Sequence, residues 1–393
     1  MTAPRSIAFL SPRFAEGSTV GGAETLLKTL AQYAIAAGLD VTFLATCARN
    51  HFTWANELPA GESVVDGIRV RRFPVDGNRD LERFLLVQDR ICRGRTVTID
   101  EERDWIRHNV NSTALCDHLR QDGTRYDRIV MGPYLFGLIH TAAAIHPDRT
   151  VLVPCLHDEA FAYLTVFREM FASARAILFN SAPERDLAAR LFGPAMQAMP
   201  VVGMGLPPFA VQGGDWARRR GIHTPYVLYS GRREPLKGTP LLLDYLDTFR
   251  QRTRKDIALV LTGSGPIHPP ASLAPHIHDL GFVSEEDKHE AMAGAIAFCH
   301  PSVNESFGIV LLEAWLAGTP ALVHARGAVL THQCRMSHGG LWFRNYPEFE
   351  EELLLLLEQP HVRKTLGDAG RAYVQTEYAP ARIQERLLQG LAR

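Results

Sequence analysis

Twelve short apolar runs alternate along this chain with stretches of helical periodicity, at residues 7–10, 41–45, 68–73, 128–131, 151–156, 176–179 and 199–202, then 226–229, 257–261, 277–282, 295–299 and 321–323. A run such as Ile7-Ala8-Phe9-Leu10 is apolar at every position rather than at alternate ones. Such a strand is buried on both faces, the situation of a parallel strand covered by crossover helices. Two successive blocks of this kind predict two doubly wound, Rossmann-like α/β domains. The length agrees, since 393 residues exceed one ordinary core.

The boundary falls at Val202-Gly203-Met204-Gly205-Leu206-Pro207-Pro208, followed by Gly213-Gly214, where glycine and proline are dense and periodicity is lost. Residues 1–203 then form the first domain and 204–375 the second; 376–393 end the chain with an amphipathic helix at 380–391. Open parallel sheets bind ligands beyond the carboxyl ends of their strands. Two such domains facing each other are expected to hold their site in the cleft between them.

Composition removes several classes. The net charge of −1 gives no bulk electrostatic reason to bind nucleic acid. The six cysteines form no C-x-x-C pair and read as reduced thiols of a cytoplasmic protein. The N-terminus enters its first strand too early for a signal peptide, and no run reaches the roughly 18 apolar residues that span a bilayer. Residues 68–95 carry eight arginines against four acids, interleaved with Phe73, Phe84 and Leu85. That segment reads either as a solvated face or as a peripheral contact with anionic lipid or a phosphorylated acceptor.

Chemistry concentrates in the second block. Glu305-Ser306-Phe307-Gly308-Ile309 runs through Glu313 to Gly318-Thr319-Pro320, a short loop entering a helix. Unpaired N–H groups at such a start, around Gly308 and Ile309, could hold a phosphate. Glu313 lies further along, where a carboxylate could accept both ribose hydroxyls, and Glu305 could reach a different polyol. An amphipathic helix with acids placed to suit its dipole fits the same spacing. After the run at 226–229 comes Gly231-Arg232-Arg233-Glu234-Pro235-Leu236-Lys237-Gly238. Two fixed cations of this kind can offset the charge growing on a leaving diphosphate.

These segments together resemble the retaining nucleotide-sugar glycosyltransferases of the GT-B fold, family four. The two glutamates around Phe307-Gly308, and the G-R-x(4)-K-G pattern of Gly231 to Gly238, carry the resemblance. It implies two Rossmann-like domains facing across a cleft, with the last helix crossing back to the first domain. It also implies a donor site in which Arg232 and Lys237 meet the diphosphate and Glu313 the ribose. Glu305, with the backbone of Phe307, Gly308 and Ile309, would meet the sugar. Arg233 is a nearby alternative, but the register to Lys237 favours Arg232. Gly21 and Gly22, in the loop Ser11-Pro12-Arg13-Phe14 to Thr19-Val20-Gly21-Gly22-Ala23-Glu24, would lie near donor phosphate and acceptor. His157 would face the donor sugar. Gly263 would approach the diphosphate, and Phe282 and Val283 would offer backbone contacts to the nucleobase. Asn180-Ser181 with Glu184 resembles a further family segment and reads as a helix cap.

The implied activity is transfer of a hexose from a UDP- or GDP-sugar to a saccharide or lipid-linked acceptor, with retention, in cell-surface polysaccharide or glycoconjugate synthesis. No Asp-x-Asp triplet is present, so no metal or other cofactor is expected. His332, Cys334 and His338 match no zinc spacing. They lie in a segment, 324–340, that departs from the family pattern and reads as a loop shaping the sugar or acceptor pocket. A sugar-nucleotide 2-epimerase of the same plan and a non-catalytic nucleotide-sugar-binding protein are the alternatives.

Overall fold

The computed structural model describes residues 4–16, 21–212 and 216–393. Thr19 and Val20 of the first loop, and Gly213-Gly214 of the linker, lie outside the described residues. The chain divides into two compact units, Met1–Gly205 with Pro380–Arg393, and Leu206–Ala379.

In the first unit the strands are β1 (Ser6–Leu10), β2 (Asp40–Thr46), β3 (Gly61–Val65), β4 (Ile68–Phe73), β5 (Arg128–Met131), β6 (Thr150–Leu152) and β7 (Ala176–Ile177). Their order is β3-β4-β2-β1-β5-β6-β7. Only β3 runs antiparallel to its neighbour, β4. The remaining strands follow the doubly wound pattern, whose order reverses between β1 and β5. Ile7, Ala8, Phe9 and Leu10 of β1 are fully buried, as a run apolar on both faces requires. Burying each large side chain stabilises by about 2 kcal/mol, so a register slip here would gain nothing on either face.

The sequence reading needs correction at several places. Strand β3, joined to β4 by the two-residue turn Asp66-Gly67, was not expected; its side chains are mostly exposed, so it lacks an apolar signature. No strand forms at 199–202, where Val201 makes only an isolated bridge to Phe179. Strand β6 ends at Leu152 rather than 156, because the backbone turns at Cys155, whose φ is +53°. Residues 324–340 are not a loop either: they contain the helix Ala328–Ser337 and run into a further strand.

That strand completes the second unit, which contains β8 (Tyr226–Ser230), β9 (Ala258–Thr262), β10 (Ile277–Asp279), β11 (Ala297–His300), β12 (Ala321–His324) and β13 (Gly340–Phe343). Their order is β10-β9-β8-β11-β12-β13, parallel throughout, with reversal between β8 and β11. One face carries a core of Val227, Tyr229, Leu259, Leu261 and Cys299, covered by Leu246, Phe249, Phe349 and Leu353 from two helices.

The helix Pro360–Glu377 stays with the second unit, whereas Pro380–Leu391 belongs to the first. There it packs on the helix Gly22–Ala36 and on β7, burying Ile383, Leu387 and Leu391. Arg128 Nε donates to the Leu391 carbonyl at 2.9 Å.

The arginine-rich segment is largely neutralised in space. Arg72 pairs with Glu16, Arg83 with Asp104, Arg90 with Glu101 and Arg93 with Asp89. That pairing favours a solvated face over an anion-seeking one. Among the described residues no helix is long and apolar enough to cross a membrane.

Candidate functional site

In the second unit the reversal between β8 and β11 leaves their carboxyl ends diverging, and both principal motifs leave the sheet there. Gly231 follows β8, and Pro301 follows β11. The loops after β8, β9 and β10 are laced by backbone hydrogen bonds. Gly231 N donates to Thr262 O at 3.0 Å, Arg233 N to Ser264 O at 2.7 Å, and Gly263 N to Gly281 O at 2.7 Å. Arg233 completes the lacing: its buried guanidinium donates to Asp279 Oδ2 at 2.6 Å and to the carbonyls of Gly265 and Gly263. It is committed to the scaffold. Arg232 is the exposed member of the pair, 57% accessible and 3.3 Å from Glu234.

Lys237 ends the short 3-10 turn Pro235–Lys237. Its Nζ donates to Glu305 Oε1 at 2.7 Å and to the Asn304 carbonyl at 3.2 Å. The sequence reading gave Lys237 and Glu305 separate ligands, whereas here they form one ion pair. A third member was not anticipated: His300, the last residue of β11, places Nε2 3.0 Å from the same Glu305 oxygen. Its ring lies against Tyr229 and Phe298, at centroid distances of 5.5 and 5.6 Å. Burial alone would raise the Glu305 carboxyl, but the His300 hydrogen bond and the Lys237 charge outweigh it. The group is held well below the usual carboxylate range. One anion is thus fixed by two donors on one oxygen.

Gly308 caps the helix Ile309–Leu316 in the left-handed region, φ +82°. A Cβ there would lie 2.6 Å from Leu330 on the helix Ala328–Ser337, so the segment once read as a loop buttresses this turn. Phe307 is 4% exposed, its ring edge-on to Tyr378 at 5.2 Å. Ile309 is partly exposed at the helix start. Glu313 is buried except for 14% of its side chain and pairs with Lys288 of the helix Glu285–Ala293. Burial raises the Glu313 carboxyl and the Lys288 charge opposes that rise. Gly263 has φ +105° and sits against the Gly231 carbonyl. Beyond β10, which ends at Asp279 rather than 282, Phe282 is 67% exposed and Val283 partly buried.

Among the described residues, one set of metal-ligating side chains is close enough to share an ion: Glu285, His289 and Glu313, with ligand atoms within 4.8 Å of one another. The Lys288 ammonium already lies against two of them, at 2.8 Å from Glu285 and 3.0 Å from Glu313. His332, Cys334 and His338 do not form such a set; Cys334 is 1% exposed, and burial raises its thiol.

The first unit holds the other candidates. Gly22 opens the helix Gly22–Ala36 with Gly21 as its N-cap, so the Gly-Gly-Ala-Glu tetrad is a helix start rather than a loop. Glu24 in that first turn pairs with the buried Arg13. His157 follows β6, its side chain 30% exposed and its Nδ1 3.8 Å from Glu159 Oε1. Ser181 is the N-cap of the helix Ala182–Phe192, accepting from Glu184 N at 3.3 Å. The cap reading therefore holds, but Glu184 does more. Its buried carboxylate accepts from Leu156 N at 2.6 Å and from Asn180 N at 2.5 Å, tying the β6 loop that carries His157 to the β7 loop.

Burial pushes Glu184 from its ordinary 4.5 up to about 8, against the opposing backbone hydrogen bonds. A carboxyl raised on folding stabilises at low pH, and that stability is lost as pH climbs through the folded value. Thermal melts should therefore show the wild type losing more stability than Glu184→Gln between about pH 5 and pH 8.5. Parallel profiles would mean that Glu184 is ionised throughout.

Residues 217–373 match the family model described as glycosyl transferases group 1. That match lies within the second unit and covers less than half of the chain. A D-inositol 3-phosphate glycosyltransferase of Frankia alni is 31% identical over 228 residues, 52% of this chain and 56% of the relative. A phosphatidyl-myo-inositol mannosyltransferase of Mycobacterium leprae is 41% identical over 102 residues, 24% of this chain and 27% of the relative. The chain thus spans about half, or less, of the curated relatives it matches. The Anabaena protein HepE, crystallised with UDP-glucose, shares the fold with a TM-score of 0.68 and 18% identity, over 98% of each chain. The chain accordingly has the GT-B fold.

Two residues, His300 and Lys288, and the long-range role of Glu184 escaped the sequence reading. His300 could have been suspected from its place five residues before Glu305, at the end of an apolar run. Lys288 and the tie made by Glu184 are long-range pairings that leave no local signal.

Proposed function

We propose that this chain moves a hexose from a nucleoside diphosphate sugar, UDP- or GDP-linked, to a saccharide or lipid-linked acceptor, with retention and without a metal ion. The observation that carries the reading is the Lys237–Glu305 pair standing with the Gly308 helix start at the strand-order reversal, Glu313 lying one turn and more beyond. Crevices at such a strand-order reversal are where open α/β sheets bind ligands.

In this reading the bond between the anomeric carbon and the β-phosphate oxygen breaks, and the acceptor oxygen bonds to that carbon on the same face. The acceptor proton passes to the departing phosphate. Arg232, Lys237 and the N–H groups at 308–309 offset the charge left on the diphosphate. Glu305 receives sugar hydroxyls and Glu313 the ribose. Gly263 lets the backbone approach the diphosphate, and Phe282 and Val283 border the base. The relatives' names make inositol-type polyols the first acceptors to try.

The test is a thermal-shift panel of UDP-, GDP-, ADP- and dTDP-sugars, followed by transfer assays in EDTA. A donor at 100 times its Kd should stabilise by about 2.7 kcal/mol, a rise of several degrees. Glu313→Ala should lose most of that rise, and transfer should persist in EDTA with the donor's anomeric configuration in the product. No shift with any nucleotide sugar would refute the proposal.

A further inference from the structure

A carboxylate removed from water protonates or turns toward a partner unless something holds its charge in place. For Glu313 that something is Lys288. Its Nζ lies 3.0 Å from both carboxylate oxygens, straddling the group from one side. On the other side of the ammonium stands Glu285, at 2.8 Å. The lysine side chain is 17% exposed, and its helix cannot drift. Ser284 caps that helix, the Phe209 ring stacks on His289 at 3.4 Å, and Trp216 Nε1 donates to Asp287 at 2.8 Å.

Both Glu313 oxygens face the ammonium at 3.0 Å, and each oxygen keeps further lone pairs that a ligand hydroxyl can engage.

We propose that Lys288 is a specificity-determining residue: by straddling Glu313 it aims the open lone pairs of that carboxylate at two vicinal hydroxyls, so that the site selects ribonucleotides over 2′-deoxyribonucleotides. The proposal rests on the ribose reading of Glu313. A hydrogen bond to a charged group is worth about 1.5–3 kcal/mol, which sets the expected discrimination at roughly 10- to 150-fold. Without the ammonium, Glu313 takes up a proton or rotates, and the second hydroxyl loses its acceptor.

The experiment measures, by calorimetry, binding of UDP against 2′-deoxy-UDP and of GDP against 2′-deoxy-GDP. In the wild type the ribonucleotide should bind at least tenfold more tightly for whichever base is accepted. Lys288→Met should reduce that ratio to about threefold or less, and Lys288→Arg should restore much of it. A purely structural ion pair would lower the melting temperature of Lys288→Met and leave the ratio untouched; that result overturns the proposal. Should Lys288→Met fail to fold, Lys288→Gln, which keeps an N–H donor without the charge, is read in the same way. Glu313→Gln separates the two levels. If the wild type does not discriminate, or Glu313→Gln keeps the full ratio, the ribose reading itself fails. If Glu313→Gln loses the ratio and Lys288→Met keeps it, only the inference about Lys288 falls.

Discussion

Lys237→Ala should lower kcat by about two to three orders of magnitude while weakening donor binding far less. The magnitude is that of removing one preorganised electrostatic contact to a charge that develops only in the transition state, about 2.7–4 kcal/mol. The structure adds a second consequence. Lys237 is one of two donors on Glu305 Oε1, so its loss leaves a mostly buried carboxylate held by His300 alone. Breaking a buried pair from one side typically costs about 3–5 kcal/mol, and the surviving histidine reduces that figure here. A lower melting temperature should therefore accompany the kinetic loss. Glu305→Gln in combination with Lys237→Ala separates the two effects: the stability losses should be non-additive, as expected for residues in contact. An alanine variant with wild-type kcat would remove Lys237 from the chemistry, whatever its stability.

Gly263→Ala should be among the most damaging single-methyl changes in the second unit. At φ +105° an L-residue is strained, and its Cβ would lie 2.2 Å from the Gly231 carbonyl oxygen. The same carbonyl belongs to the loop carrying Arg232, so relief of the clash displaces the residue proposed to meet the diphosphate. A loss of about 3 kcal/mol or more is expected, a fall of roughly 6–12 °C in melting temperature for a unit of this size. Donor affinity should fall with it. Gly221→Ala is the control, because Gly221 has φ +73° but nothing within 4 Å of the added carbon. Its cost should stay near 1 kcal/mol, the strain alone. Equal losses in the two variants would show that the β8 and β9 loops do not press on one another.

What could be read in the sequence was what is local. Gly231 to Gly238 and Glu305 to Glu313 are continuous segments, and each occupies a strand-end loop or helix start of the expected kind. Of the two adjacent arginines, Arg233 is spent on Asp279 and two carbonyls and Arg232 is exposed, a division that the spacing alone does not announce. Pairings across the fold were not legible. Lys237 and Glu305 are 68 residues apart, and no spacing rule announces that they meet. The same holds for Lys288 and Glu313, and for Glu184 with Leu156. Some local signals were missed. Asp66-Gly67 between polar-alternating residues marks a hairpin turn, and it gave β3. The apolar run at 199–202 failed in the opposite way. Its backbone follows Phe179 for only one bridge, a case of tertiary context overriding composition.

The helix Pro380–Leu391 gives the chain an unusual order of completion. Its buried face is part of the first unit, and Gln384 and Arg393 bond to the Tyr33 and Ala198 carbonyls there. During synthesis that unit emerges early, yet its last structural piece follows the whole of Leu206–Ala379. The surface around β7 and the helix Gly22–Ala36 must therefore wait uncovered on the ribosome while some 170 residues are added.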